Sequence, residues 1–66
     1  MKTVIVDTRE HKIVAEVVTS HSITLDEACG FAGVEWCEDY DTVTVQDLAG
    51  ADEIALEVKD TFGFAV

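Results

Sequence analysis

Two short runs, Thr3–Asp7 (TVIVD) and Lys12–Val18 (KIVAEVV), flank the four residues Thr8–His11 (TREH). Valine and isoleucine branch at Cβ, lose rotamer freedom in a helix and suit a pleated strand. The polar gap is long enough only to turn the chain back on itself. The pattern therefore predicts a β-hairpin with TREH as its loop. Strict alternation would point Val4 and Val6, then Ile13, Ala15 and Val17, to a common face.

The next segment, SITLDEACGFAG, opens like a helix. Thr24 is in place as N-cap, and Glu27 three residues on completes a capping box. Ile23 is positioned to staple against Ala28, and Gly33 supplies a C-terminal stop. Leu25, Ala28, Cys29 and Ala32 follow the i, i+3, i+4, i+7 spacing and form the stripe expected to pack on the sheet. Farther along, TVTVQ alternates Val43 and Val45 with Thr42, Thr44 and Gln46, the pattern of a third strand with one buried face.

The last third admits two readings. As a strand, EIALEVK would bury Ile54, Leu56 and Val58. As a helix capped by Asp47 it would bury Leu48, Ala51, Ile54, Ala55, Val58 and Phe62, with Gly63 as the C-terminal cap. The helix uses more of the apolar residues and relies on good helix formers, so it is preferred. The expected architecture is α+β, a three-stranded antiparallel sheet with two helices in the order ββαβα. The alternative is ββαββ with one helix.

The chain has 66 residues, 48% of them apolar, and no proline, repeat or linker. It is read as one domain, 1–66. A chain of this size buries only about 60% of the surface its unfolded form exposes, so its stability is expected to be thin.

Metal and catalytic chemistry find little support. His11, His21, Cys29 and Cys37 are zinc-ligand types, but the gaps between them are too long for the close pairs of structural zinc sites. Asp39 and Asp41 would take positions 1 and 3 of a calcium loop. The glycine at position 6 and the glutamate at position 12 are replaced by Thr44 and Gly50. There is no phosphate-binding glycine loop, nucleophile elbow or H-E-x-x-H. Cys37 lies among carboxylates, which raise a thiol's pKa and quieten it. No cofactor, metal or enzymatic activity is expected.

Charge is the more informative property. Fourteen acidic against four basic residues give a formal net charge of −10, which repels nucleic acid and anionic membranes and attracts basic surfaces. Solubility, or adaptation to high salt, would account for the same composition. The acids concentrate in two places. EWCEDYD sets Glu35, Glu38, Asp39 and Asp41 around Trp36 and Tyr40. On the final helix, Glu53, Glu57 and Asp60 would share one outward stripe, each like-charged i, i+4 pair costing a few tenths of a kcal/mol, about 0.2–0.5. Trp36 is assigned to the core and Tyr40 to an exposed contact.

Helical carboxylates one i, i+4 step apart rise about 6 Å, whereas one DNA strand sets a phosphate about every 3.4 Å. The stripe alone is too sparse to imitate a phosphate track. Only a surface combining it with Glu35, Glu38, Asp39 and Asp41 could approach one. The resulting expectation is a small acidic binding protein that inhibits by occupying the nucleic-acid-binding surface of a basic protein or complex. Phage or mobile-element proteins acting against CRISPR or restriction systems would be examples. The candidate partner-binding residues are Glu35, Glu38, Asp39, Tyr40, Asp41, Glu53, Glu57 and Asp60. The alternative is a structural or accessory subunit that forms a homodimer, its acidity serving solubility. The apolar run Val4–Val6 is too short for a secretory leader, and no stretch approaches the roughly 18 apolar residues of a membrane span. The expected location is the cytoplasm, its own or a host cell's.

Overall fold

A computed structural model describes residues 1–66. The elements run β1 (Lys2–Asp7), β2 (Lys12–Val18), α1 (Leu25–Ala32), β3 (Tyr40–Val45) and α2 (Ala51–Phe62). The three strands form one antiparallel sheet in the order β2-β1-β3. The ββαβα arrangement is thus the observed one, and residues 51–62 are helix rather than strand. No helix is long and apolar enough to cross a membrane.

The centre of the fold is β1, in which every residue from Thr3 to Asp7 is buried. A strand with one wet face would alternate in exposure; this one does not, because the two helices cover opposite faces of the sheet. Val4 and Val6 join Val43, Ala49, Ile54 and Val58 in the cluster under α2. Ile5 joins Ala28 and Cys29 in a second cluster under α1, with Leu25, Ala32, Ile23 and Val34 packed around it. Each fully buried valine or isoleucine contributes about 1.5–3 kcal/mol, so the alternation of β1 fastens both helices at once. Thr3 is also buried, and its hydroxyl finds no hydrogen-bond partner.

The hairpin forms where expected, with Thr8–His11 between the strands. Asp7 closes it, its Oδ1 accepting the Arg9 and Glu10 N–H groups at 3.0 and 2.9 Å. His11 takes a left-handed conformation, φ 56°, and its ring stacks on Phe64 with centroids 4.0 Å apart. The expectation that Ile13, Ala15 and Val17 share a face is corrected. Ile5 pairs with Ala15 but Val6 pairs with Ile13, leaving Val14 as an extra residue in a bulge. The bulge shifts the alternation by one, so Ile13 reaches the α2 cluster while Val14 and Ala15 reach the α1 cluster.

At α1 the anticipated capping box is complete. Thr24 Oγ1 accepts the Glu27 N–H at 3.2 Å, and Glu27 Oε1 accepts the Thr24 N–H at 3.0 Å. These bonds favour the ionised carboxylate and hold the Glu27 pKa below its ordinary value. Gly33 ends the helix at φ 72° and Gly63 ends α2 at φ 83°, left-handed positions that suit glycine.

The start of α2 differs from expectation. Its N-cap is Gly50, with no side-chain cap, rather than Asp47. Asp47 instead forms an ion pair with the amino group of Met1. A turn closed by the Ala49 N–H on the Gln46 carbonyl, at 3.0 Å, precedes the helix and buries Ala49. Ala49 thereby takes the core place assigned to Leu48. Leu48 is 93% exposed, and Ala51 is exposed as well.

Candidate acidic groove

One strand edge and one helix wall bound an open groove of about 270 Å³. Its floor is Thr44 and Val45 from β3 with Gln46 just beyond; its wall is Glu53, Leu56, Glu57 and Asp60 from α2. The helical period sets this wall. Ile54 and Val58 are drawn into the core under α2, and residues offset from them around the helix are turned toward the rim of the sheet. The three acids of the outward stripe are therefore gathered in one groove. Gln46 Nε2 donates to Glu53 Oε2 at 2.9 Å, tying the floor to the wall.

No basic side chain neutralises this groove. Lys2 Nζ is occupied elsewhere, 3.2 Å from Glu16 and donating to the Ala49 carbonyl at 3.0 Å. The only two ion pairs are Lys2–Glu16 and the Met1 amino group with Asp47. No three acidic, histidine or cysteine side chains converge closely enough to hold a metal ion. The groove is a diffuse negative wall, suited to spread cationic groups rather than to one coordinated ion.

The EWCEDYD segment divides. Glu35, Trp36 and Glu38 are exposed on the connection between α1 and β3, Trp36 at 59%. Cys37 and Asp39 are half-buried, the thiol facing the Asp39 carboxylate at 4.0 Å. Asp39 also holds the sheet together, its carbonyl accepting both the N–H and the hydroxyl of Thr8 at 2.9 and 2.7 Å. Asp41 is exposed, and its Oδ1 accepts the Thr42 N–H at 2.8 Å.

Two aromatic assignments are reversed. Trp36 stands out in solvent instead of closing the core, and Tyr40 packs on the α1 cluster instead of standing out. The reason is strand register: Tyr40 pairs with Asp7, on the face shared with Ile5, and so is carried under α1. Burial raises the Tyr40 phenol pKa, with Cys37, Asp7 and Cys29 adding to the effect. Cys29 lies buried on the same face, and its thiol is pushed up by burial and then by Asp26. Neither group is poised for reaction.

Other acids serve local structure. Asp7 closes the hairpin, Glu16 meets Lys2, Glu27 caps α1 and Asp47 meets the Met1 amino group. Glu10, Asp26 and Asp52 are spread over the hairpin turn and the first turns of the two helices; the other seven are Glu35, Glu38, Asp39 and Asp41 at or just before the start of β3, and Glu53, Glu57 and Asp60 beside its last residues. Thr44, Gln46 and Leu56 complete the groove without having been singled out from sequence. Their signal was available in the outward positions of the TVTVQ alternation and in the gap Leu56 leaves in the apolar stripe of α2. No family model matches this chain, and no curated protein or solved structure matches it either.

Proposed function

We propose that the protein is a non-enzymatic inhibitor that acts in the cytoplasm of its own or a host cell, laying its acidic β3 margin on the nucleic-acid-binding surface of a basic protein or complex. Nucleic-acid-handling defence machinery, of the CRISPR or restriction kind, is the class of partner this chemistry suits. One observation carries the reading: Glu53, Glu57 and Asp60 share a groove that holds no countercharge. Glu53 accepts a hydrogen bond from Gln46, whereas Glu57 and Asp60 enter no side-chain hydrogen bond or ion pair of the chain's own.

Length supports the comparison with nucleic acid. The largest dimension of the molecule is 26 Å, over which one DNA strand presents about seven or eight phosphates at about 3.4 Å each. Glu35, Glu38, Asp39 and Asp41 at or just before the start of β3 and Glu53, Glu57 and Asp60 on α2 beside its end supply a similar number of negative charges. Aromatic area comes from the exposed Trp36, a residue type enriched at binding hot spots.

Capture from a host lysate at low salt, followed by elution with duplex DNA or RNA, tests the reading. The captured partner is expected to be a nucleic-acid-binding protein, to be displaced by nucleic acid, and to bind with steep salt dependence. Reversal of Glu38, Asp39 and Asp41 to lysine is expected to weaken capture. A partner indifferent to both salt and nucleic acid removes the proposal. A homodimeric accessory subunit is the second reading, favoured by the exposed Leu48, Phe31 and Trp36. A salt-insensitive dimer in light scattering would select it.

A further inference from the structure

The two edges of the sheet are not alike. β2 is broken by the bulge at Val14, a device that discourages strand pairing. β3 keeps an unbroken register against β1 from Tyr40 to Val45. Its outward backbone groups can be identified. Ladder bonds alternate along an antiparallel strand; the Tyr40 N–H goes to the Cys37 carbonyl at 3.0 Å and the Thr42 N–H to the Asp41 carboxylate at 2.8 Å. Asp41, Val43 and Val45 therefore bond to β1, and Tyr40, Thr42 and Thr44 face away. The Thr8 N–H bond to the Asp39 carbonyl extends the same alternation. At Thr44, which is exposed and lines the groove, the alternation turns both the N–H and the carbonyl away from β1.

We propose that this edge takes up an extended basic segment of the partner by strand addition, with Thr44 pairing its backbone and the α2 wall receiving its cationic side chains. The proposal rests on the reading of the acidic margin above and specifies how that margin is used. Spacing and charge select the occupant. Alternate residues of a strand recur about every 6.6–6.8 Å, close to the roughly 6 Å rise between helical carboxylates such as Glu53 and Glu57. A spacing too open for phosphates thus suits lysine or arginine at every second position of a strand. Leu56, 63% exposed between these acids, offers its side chain to their aliphatic stems. A second copy of this chain is disfavoured. Twofold pairing of β3 with itself would set the two α2 walls side by side on one sheet face, acid against acid.

The test uses the intact protein and a nine-residue peptide alternating lysine and threonine. Added antiparallel to β3 with its lysines toward α2, the peptide turns its threonine amides to β3 and its lysine amides away. N-methylation of the threonine amides is expected to weaken binding by about tenfold or more, from the lost backbone bonds; methylation of the lysine amides is expected to leave it nearly unchanged. The Thr44 amide should gain protection from hydrogen exchange on adding the parent peptide, and E53Q/E57Q should weaken it. Equal binding by both methylated peptides, or an unprotected Thr44, overturns strand addition while leaving the inhibitor reading to its own competition test. Thr44 protection that appears with rising protein concentration and no peptide overturns it in favour of self-pairing. Peptide binding as expected, beside a captured partner indifferent to nucleic acid, supports strand addition and refutes the inhibitor reading alone.

Discussion

Replacing Val58 and Leu56 separately by alanine distinguishes the two readings of residues 51–62 and tests how the core is organised. The two positions are one apart from being neighbours, so on a strand they would share a face and lose similar amounts. On α2 they do not: Val58 is completely buried among Val4, Val6 and Ile54, while Leu56 is 63% exposed. Val58→Ala removes two methyl groups, worth about 1.6 kcal/mol at about 0.8 kcal/mol each. The space left behind raises the loss to about 2–3 kcal/mol. A chain of this length has a total stability of about 3–10 kcal/mol, so the loss is a large share. The corresponding fall in Tm is about 8–24 °C, at about 4–8 °C per kcal/mol for a small domain. Leu56→Ala is expected to stay within about 0.5 kcal/mol of the parent, as an exposed helical substitution to the best helix former. Thermal unfolding followed by circular dichroism at matched protein concentration measures both. Equal losses at the two positions would refute the packing described here.

Thr3→Val replaces a buried, unpartnered hydroxyl with a methyl of the same shape and is expected to stabilise by about 1–2 kcal/mol, read as a raised urea midpoint with unchanged slope. Thr24→Ala is expected to cost about 1 kcal/mol near neutral pH. Because Glu27 titrates below its ordinary value when folded, its stabilisation is complete above the ordinary carboxylate range and is lost as pH falls through the lowered value; the gap between parent and T24A melts should narrow in acid. Cys29 and Tyr40 have raised pKa values, so their contribution is complete below the ordinary thiol and phenol values and is lost as pH rises through the raised ones. Melting temperature should therefore decline on the alkaline side. In the folded state a thiol reagent should label half-buried Cys37 well before Cys29.

The elements that were legible from residues alone are those whose signals are local. The capping box at Thr24 and Glu27, the αL glycines at 33 and 63, and the i, i+3, i+4 stripe of α1 each depend on atoms a few residues apart. They appear as expected. The misplaced residues depend on tertiary register. Ala15 changes face because of a bulge opposite Val6. Tyr40 is half-buried under α1 because it pairs with Asp7, thirty-three positions earlier. Leu48 is displaced because Ala49 reaches the core first. The site follows the same division. The stripe Glu53, Glu57, Asp60 follows from helical period, whereas its apposition to Thr44 and Gln46 requires knowing which strand lies at the edge and which face α2 covers.

The placement of β1 between β2 and β3 also bears on how the chain is made. β1 emerges from the ribosome well before the partners it needs: Lys2 ends beside Val45, and Val4 is sealed only when Val58 arrives. Pairing across so many intervening residues carries a loop-closure penalty that slows folding. Until α2 has been synthesised, an unsheltered β-branched run is available to quality-control proteases or to aggregation. Premature termination ahead of α2 should therefore yield a product that is degraded rather than a smaller working domain.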